Sequence, residues 1–483
     1  MRPSRTALAC AAVAFLNALT WLVLTPPFQV PDEPQHLAYA QYLAETGKLP
    51  RHIPGQVFSN EEAVATGNVR LNDVVGNLRG KPPWTRGEDR RLQARLDRRG
   101  LSRRSQGAQS NTTNNPPLYY ALGVIPYDAA SSGNLLDRLY AMRLLSAVLA
   151  AATVLFSFLF LVELLPGTPL AWPVGALAVA FQPLFGFISG GFTNDDLLFT
   201  TAAATFWLLA RGFRRGLTPR LGLALGAAVG LGVVAKANTL GLVPGVVLAL
   251  AFMVWRTAPA ERRRALLAAG AAVAVAALPV VAYVALNTTV WDRPLWGGVT
   301  ETRGAVGVPR QYPFRGLLSY TWQFYLPRLP FMQDQFTYYP LWETWFKGFI
   351  ARFGWLDYGF PIYSYWVALG VVGGVLALAG AALRRSRAAL RSRWPELVSY
   401  LAMMAGLLVL IAIAGYRGRI DNGYVFEQAR YLLPLLPLYA AIVALAVRGA
   451  GRRWAPVAAG VLVVAALGHD LFAQLVTIAR YYA

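Results

Sequence analysis

Long apolar runs alternate with short arginine clusters along most of this chain, and two polar stretches break the rhythm. Runs long enough to cross a bilayer, roughly 17–25 residues, lie near 7–25, 140–163, 170–189, 196–212, 220–236, 239–255, 266–287, 364–383, 397–415, 431–447 and 455–473. Periodicity within them does not fix which face turns inward, because a lipid-facing helix is apolar nearly all round. The pattern predicts an all-α polytopic membrane protein, a bundle of about eleven transmembrane helices. The Gly-rich stretch 220–255, with Lys236 in its middle, leaves that count open by two.

Composition agrees: 56% of residues are hydrophobic and 14% charged, against about 25% charged in a soluble domain. A net charge of +21 raises the prospect of nucleic acid, but the position of the arginines argues against it. Arg211/Arg214/Arg215/Arg220, Arg256/Arg262/Arg263/Arg264, Arg384/Arg385/Arg387/Arg391/Arg393 and Arg448/Arg452/Arg453 all sit between apolar runs. With a cytoplasmic N-terminus all four fall on the cytoplasmic side, as the positive-inside rule requires. The expected location is the plasma membrane, multi-pass. The first run, followed by Leu24-Thr25-Pro26-Pro27, lacks a small-x-small cleavage site and reads as an uncleaved anchor. The single cysteine, Cys10, allows no intramolecular disulfide and no cysteine-based metal site. No Gly-rich phosphate loop follows a strand, so no nucleotide-binding domain is expected.

The polar stretches, Pro26 to about Arg138 and about Thr288 to Tyr363, then lie outside the cytoplasm. They divide the chain into a transmembrane module 1–287 carrying the first loop 26–138, a second loop 288–363, and C-terminal helices 364–483. In the first loop, Leu37, Ala38, Ala40, Tyr42 and Leu43 suit a short helix from Glu33 to Thr46 lying on the interface. Beyond Pro50 periodicity fades, and the basic stretch Arg86–Arg104 reads as a mobile segment or a surface for an anionic glycan. The second loop is dense in aromatics (Trp291, Trp296, Tyr312, Trp322, Tyr338, Tyr339, Trp342, Trp345, Phe346 among them), and Phe346–Leu356 reads as a helix half in lipid.

Four places carry candidate chemistry. Asp32, Glu33 and His36 follow the first span directly; two adjacent carboxylates at a membrane boundary are costly to desolvate. They read either as a base with its supporting groups or as the cap and first-turn anion of a helix beginning near Pro34. Asn114-Asn115-Pro116-Pro117-Leu118-Tyr119-Tyr120 is either a turn with interfacial tyrosines or a place where Asn115, Tyr119 and Tyr120 meet a ligand's hydroxyls. Thr193-Asn194-Asp195-Asp196 opens the fourth span, where Thr193 or Asn194 can cap; two acids exceed what a cap requires. With Asp32 and Glu33 they make two acidic pairs on one face, able to hold a divalent metal or to divide base and orienting work. Lys236 within an apolar stretch and Arg430, followed by Tyr431 on the outer face, are cations that topology does not call for. Lys236 reads either as a functional residue facing a cavity or as a lysine snorkelling from a span end, while a phosphate partner fits Arg430, a guanidinium matching phosphate oxygens bidentately. His52 and His469 read as structural.

Pro26-Pro27-x-x-x-Pro31-Asp32-Glu33-Pro34-x-His36, Asn114-x-Pro116-Pro117-x-Tyr119-Tyr120, Asn194-Asp195-Asp196, Phe353-Gly354-Trp355-Leu356-Asp357 and Arg430-Tyr431-Leu432-x-Pro434 occur in that order. The set resembles the DUF2142 family of bacterial membrane proteins, relatives of the GT-C superfamily of polyprenyl-phosphate-sugar glycosyltransferases. The resemblance runs from Pro26 to Pro437 and departs at Ala429, where the family usually has Gly. It implies a GT-C-like bundle whose first outer loop carries interfacial helices and an acidic active-site residue. On that resemblance Asp32 activates a cell-envelope glycan or lipid acceptor, and a polyprenyl-phosphate sugar is the donor. Arg430, Tyr431 and Lys236 then meet the donor phosphate in a single inverting displacement without an obligatory metal, a divalent ion remaining compatible. The other readings are a flippase for a lipid-linked saccharide, which needs alternating access, and a non-catalytic scaffold in envelope-polymer assembly.

Overall fold

The computed structural model describes residues 4–75, 84–98, 100–291, 293, 311–336, 342–422 and 428–482; Trp296, Tyr338, Tyr339 and Glu427 lie outside them. After α1 (Arg5–Leu24), the first loop holds α2 (Glu33–Thr46), α3 (Asn60–Asn68), α4 (Leu71–Val74), α5 (Arg86–Leu96) and α6 (Leu118–Ala129). The chain returns through α7 (Leu135–Leu164), α8 (Ala171–Ala180), α9 (Pro183–Ser189), α10 (Asp195–Arg215), α11 (Pro219–Ala235), α12 (Val243–Arg256) and α13 (Arg262–Thr289). The second loop contributes α14 (Phe314–Tyr325), α15 (Gly348–Ala351) and a two-stranded antiparallel hairpin, β1 (Arg352–Phe353) with β2 (Tyr358–Gly359). Last come α16 (Ile362–Arg385), the short α17 (Arg387–Ser392), α18 (Trp394–Asn422), α19 (Leu436–Gly449) and α20 (Gly451–Tyr482).

All eleven expected segments are helical, but fewer have the length and composition of a complete span. Among the described residues seven qualify, or eight if α8 and α9, bent by 55° at Phe181-Gln182, form one span. The break has a local cause: Pro183 disfavours helix at the residue before it, and the Gln182 side chain caps α9 by accepting the Phe185 N–H at 2.6 Å. Helix α10 has 21 residues, but its ends are Asp195-Asp196 and Arg214-Arg215. Helices α11 and α12 are 17 and 14 residues, separated by Lys236 and a 3₁₀ turn at Ala237–Gly241.

Helix α7 packs between α1 and α10, and α19 between α8 and α16, so the C-terminal helices are built into the same core as the first ones. Helices α11 and α13 approach closely because Gly222, Gly226 and Gly230 recur every fourth residue. A Cβ at Gly222 or Gly226 would collide with the Ala268 or Ala272 carbonyl. Small residues at that spacing bring backbones together where lipid removes the hydrophobic driving force. The arginine clusters meet at one end of the bundle. There the buried Glu163 of α7 takes Arg211, Arg214 and Arg215 at 3.3, 3.0 and 2.9 Å, and Arg393 donates to the Leu164 carbonyl at 2.5 Å.

Both loops gather at the opposite end, and three expectations for them change. Helix α2 has the predicted bounds, yet its apolar residues are not free to face lipid: His36 through Tyr42 are all buried, packed against α6. The described residues beyond Pro50 are folded rather than irregular throughout, because Ala65, Val69, Leu71, Leu92 and Leu96 close a second apolar core under the loop. Helix α5 thereby turns its arginines outward. The helix expected at Phe346–Leu356 stops at Ala351, since Gly354 and Leu356 adopt left-handed φ of 62° and 66° and turn the chain into the hairpin.

One buried joint fastens loop to bundle. Arg143 of α7, fully buried, donates through Nε and Nη2 to Glu33 at 2.7 and 2.6 Å. Its remaining donors reach the carbonyls of Leu22 (3.1 Å), Thr25 (2.8 Å) and Pro26 (3.2 Å). A guanidinium has five N–H donors, and all five are used. Removing one partner of such a pair strands a charge, at a cost of about 3–5 kcal/mol. Glu33→Gln and Arg143→Met should therefore each destabilise the protein by about that amount, and the double variant by clearly less than the sum. Unfolding in detergent measures it; additive losses, or single losses below about 1 kcal/mol, would contradict the joint.

Candidate active site

The loop Pro26–Asp32 leaves α1 and delivers Asp32 at the mouth of the bundle. Two of its residues, Phe28 and Asp32, hold left-handed φ of 67° and 65°, a conformation that costs a non-glycine residue about 1–2 kcal/mol. It persists because Phe28 is gripped on both sides. Its N–H goes to Glu33 Oε2 at 2.8 Å, and its carbonyl accepts from Trp355 Nε1 at 3.1 Å. Asp357 fixes Trp355 by accepting its N–H at 2.8 Å and is itself held by Arg480 at 2.6 Å. The Phe-Gly-Trp-Leu-Asp turn is thus a clamp on the loop ahead of Asp32.

Asp32 occupies the cap position of α2 but makes no capping hydrogen bond. Its Oδ2 accepts from Arg430 Nη2 at 2.5 Å and its Oδ1 from Asn111 Nδ2 at 2.7 Å. Arg430 Nη1 also reaches the Pro31 carbonyl at 3.3 Å and Asp195 Oδ2 at 3.9 Å, and its guanidinium lies 5.3 Å from the Tyr431 ring centre. The other Asp195 oxygen takes Lys236 Nζ at 2.6 Å. Asp32, Arg430, Asp195 and Lys236 therefore form one chain of alternating charge. Lys236 reaches it because α11 ends there, and Asn194 secures that end by donating to the Ala235 carbonyl at 3.1 Å. Asn194 does not cap α10; the Thr193 hydroxyl accepts the Asp195 N–H instead, at 3.4 Å.

The four acids, grouped by sequence, divide here. Glu33 accepts four hydrogen bonds, two from Arg143 and one each from the Phe28 and Phe192 N–H groups, so no lone pair is left for a proton in transit. Its expected catalytic role is replaced by a positioning one. Asp196 turns to Ser189, 2.6 Å away, and stays outside the alternating chain. Side-chain exposure separates the rest: 21% for Asp32 against 1% for Asp195. Of the two, Asp32 is the carboxylate open to solvent. Burial alone would raise its pKa, but Arg430, with Lys236, outweighs burial and holds it below the ordinary 3.8. Among the described residues no three His, Cys, Asp or Glu side chains converge as a metal site; Asp32 and Asp195 each face a cation.

His36 links the wall of the site to its floor, with Nδ1 2.9 Å from the Tyr120 hydroxyl and Nε2 3.4 Å from Thr193 Oγ1. Burial pushes its imidazole down to about 3, leaving it neutral at physiological pH. Asn115 donates to the Tyr120 hydroxyl at 3.2 Å, and the Tyr39 ring stacks on Tyr120 with centroids 3.7 Å apart. Tyr119 faces away, bonded to Ser146 at 2.8 Å, and packs as core. His469, expected to be structural, meets the Ile350 carbonyl at 2.8 Å.

Asn111, Arg143 and Arg293 escaped the sequence reading. Arg143 had a signal: it is an arginine inside a predicted apolar run, the same mark that singled out Lys236. Asn111 had none, since its partner is 79 residues away.

ArnT from Cupriavidus metallidurans, solved in the apo state, is similar in structure, with 14% identity and a TM-score of 0.46; the match covers 91% of this chain and 59% of that one. The Archaeoglobus fulgidus oligosaccharyltransferase tethered with an acceptor peptide matches with 13% identity and a TM-score of 0.43, covering 98% of this chain and 54% of that one. The chain thus spans a little over half the length of these proteins. No curated protein matches it. A family described as "predicted membrane protein (DUF2142)" matches residues 15–439, most of the chain, and the protein belongs to that family.

Proposed function

We propose that the protein is a membrane glycosyltransferase. It moves a sugar from a polyprenyl-phosphate donor to an envelope glycan or lipid acceptor, on the face of the plasma membrane away from the cytoplasm. The arginine-rich end of the bundle is then cytoplasmic, with the N-terminus beside it, and the loop end faces out. One observation carries this reading: an accessible carboxylate, Asp32, shares Arg430 with a buried Asp195–Lys236 pair where the loops meet the bundle.

In this scheme Asp32 accepts the acceptor's hydroxyl proton as that oxygen bonds to the anomeric carbon. The bond from that carbon to the phosphate oxygen breaks on the opposite face, and the polyprenyl phosphate leaves with its electron pair. Arg430 and Lys236 meet the charge growing on the phosphate, so no metal is obligatory. Tyr431 supports the guanidinium, while His36, Tyr120 and Asn115 line the acceptor side. Arg430 cannot serve donor and base fully at once. A phosphate that draws its N–H groups away from Asp32 frees lone pairs there and makes Asp32 more basic as the donor binds.

Asp32→Asn should lower transfer by about 10²-fold or more without loss of folded protein. Reconstituted transfer with a lipid-linked sugar, with NMR of the product anomer, checks both base and stereochemistry. Unchanged transfer would refute the base, a retained anomer would refute the single displacement, and lipid translocation without transfer would favour a flippase.

The competition for Arg430 also has a pH signature. A base works deprotonated, so its activity is lost as pH falls through its pKa, and in the free protein that pKa lies below 3.8. The kcat/KM profile reports free protein and kcat the complex. The acid limb of kcat should therefore lie at higher pH than that of kcat/KM; coincident limbs in steady-state profiles would contradict the exchange.

A further inference from the structure

Four arginines are buried among the described residues: Arg138, Arg143, Arg293 and Arg430. Three have a carboxylate: Glu61 at 2.7 Å, Glu33 at 2.6 Å and Asp32 at 2.5 Å respectively. Arg293, 6% exposed, has none among the described residues. Its Nη2 donates to the Thr113 carbonyl at 2.7 Å and lies 3.1 Å from His52 Nε2. Burial, reinforced by this guanidinium, pushes His52 down to about 4, so the ring is neutral and balances no charge. Nε and Nη1 are buried and make no hydrogen bond. Three of the five guanidinium N–H groups thus make no hydrogen bond of good geometry, although the Tyr39 hydroxyl lies within reach of the guanidinium. An unpaired buried charge with open donors is among the costliest arrangements a fold can keep, and an incoming anion would relieve it.

The place of this charge is set by one turn. Thr113, which holds Arg293, is two residues from Asn111, which holds Asp32. Thr112 between them ties the turn to α2 through the Gln35 carbonyl at 3.0 Å. Two residues span at most about 7 Å, so both side chains are served by one short, fixed piece of backbone. Arg430 and Lys236 lie on the other side of Asp32, towards Asp195.

We propose that Arg293 is the anion-holding residue of an acceptor subsite, binding a carboxylate or phosphate on the saccharide whose hydroxyl reaches Asp32. The acceptor is then an acidic saccharide. This rests on Asp32 as the base that marks the acceptor's position. The neutral His52 and the Thr113 carbonyl fix Nη2, and the open Nε and Nη1 groups carry the specificity for an oxyanion.

The test is equilibrium binding of glucuronate and of glucose, at matched ionic strength, to the full-length protein in phosphatidylcholine nanodiscs. Glucuronate should bind at least tenfold more tightly than glucose. Arg293→Gln should bring that ratio close to one, and Arg293→Lys should restore part of it. No preference in the natural protein, a preference untouched by Arg293→Gln, or one lost in Arg430→Gln instead would each overturn the assignment. If Arg293→Gln does not fold, phenylglyoxal labelling of the natural protein replaces it: glucuronate should protect Arg293 and glucose should not, and equal labelling overturns the proposal. Protection that appears only with phosphatidylglycerol in the nanodisc would assign the charge to a lipid headgroup, and overturns it too. None of these measurements reads transfer. Transfer unchanged in Asp32→Asn therefore refutes the base alone, and a missing glucuronate preference refutes the subsite alone.

Discussion

The fully matched pair of Arg143 and Glu33 is the constraint on which the rest of the site depends. Five donors of one side chain meet two carboxylate oxygens and three carbonyls, while the same carboxylate takes two backbone N–H groups from separate segments. That arrangement joins the end of α1, the start of α2, the middle of the bundle and the segment before α10. A buried ion pair adds little stability over an apolar contact, but a fully satisfied one permits a single geometry. Asp32 is the next residue along, and its left-handed backbone is set by that joint on one side and the Trp355 clamp on the other.

Beyond the joint, the site is organised by sharing. Arg430 serves two carboxylates and Asp195 serves two cations, so no charge in the chain from Asp32 to Lys236 is isolated. Such a network holds its members without committing them, because a guanidinium accommodates one oxyanion or another in the same geometry. Glu33 and Asp32 are adjacent in sequence yet opposite in character, one closed on every side and one with side chain still open to solvent.

Several elements were legible before any coordinates. Helix α2 begins and ends where the apolar pattern and the flanking prolines put it, and the acids, Lys236 and Arg430 do fall at one end of the bundle. Those features are local or topological: hydrophobic period, proline, and the asymmetry of arginines between spans. The hidden features were those with partners far along the chain. The Phe346–Leu356 segment looked helical by its aromatics, but two left-handed residues and the Asp357 side chain decided for a hairpin. The loop beyond Pro50 looked unstructured because its apolar residues are sparse; they suffice only once α2, α6 and α7 supply the other wall.

What the sequence determined by itself was a membrane-embedded helical bundle, its two long polar loops and a short inventory of polar residues worth their desolvation cost. Those follow from solvation, which every residue experiences in place. Which carboxylate is closed by Arg143 and which is open at Asp32, and that Arg293 lacks, among the described residues, the acid that the other buried arginines have, only the tertiary structure decided. Ion pairing at a few ångströms depends on how segments more than a hundred residues apart are brought together, and no local pattern encodes that distance.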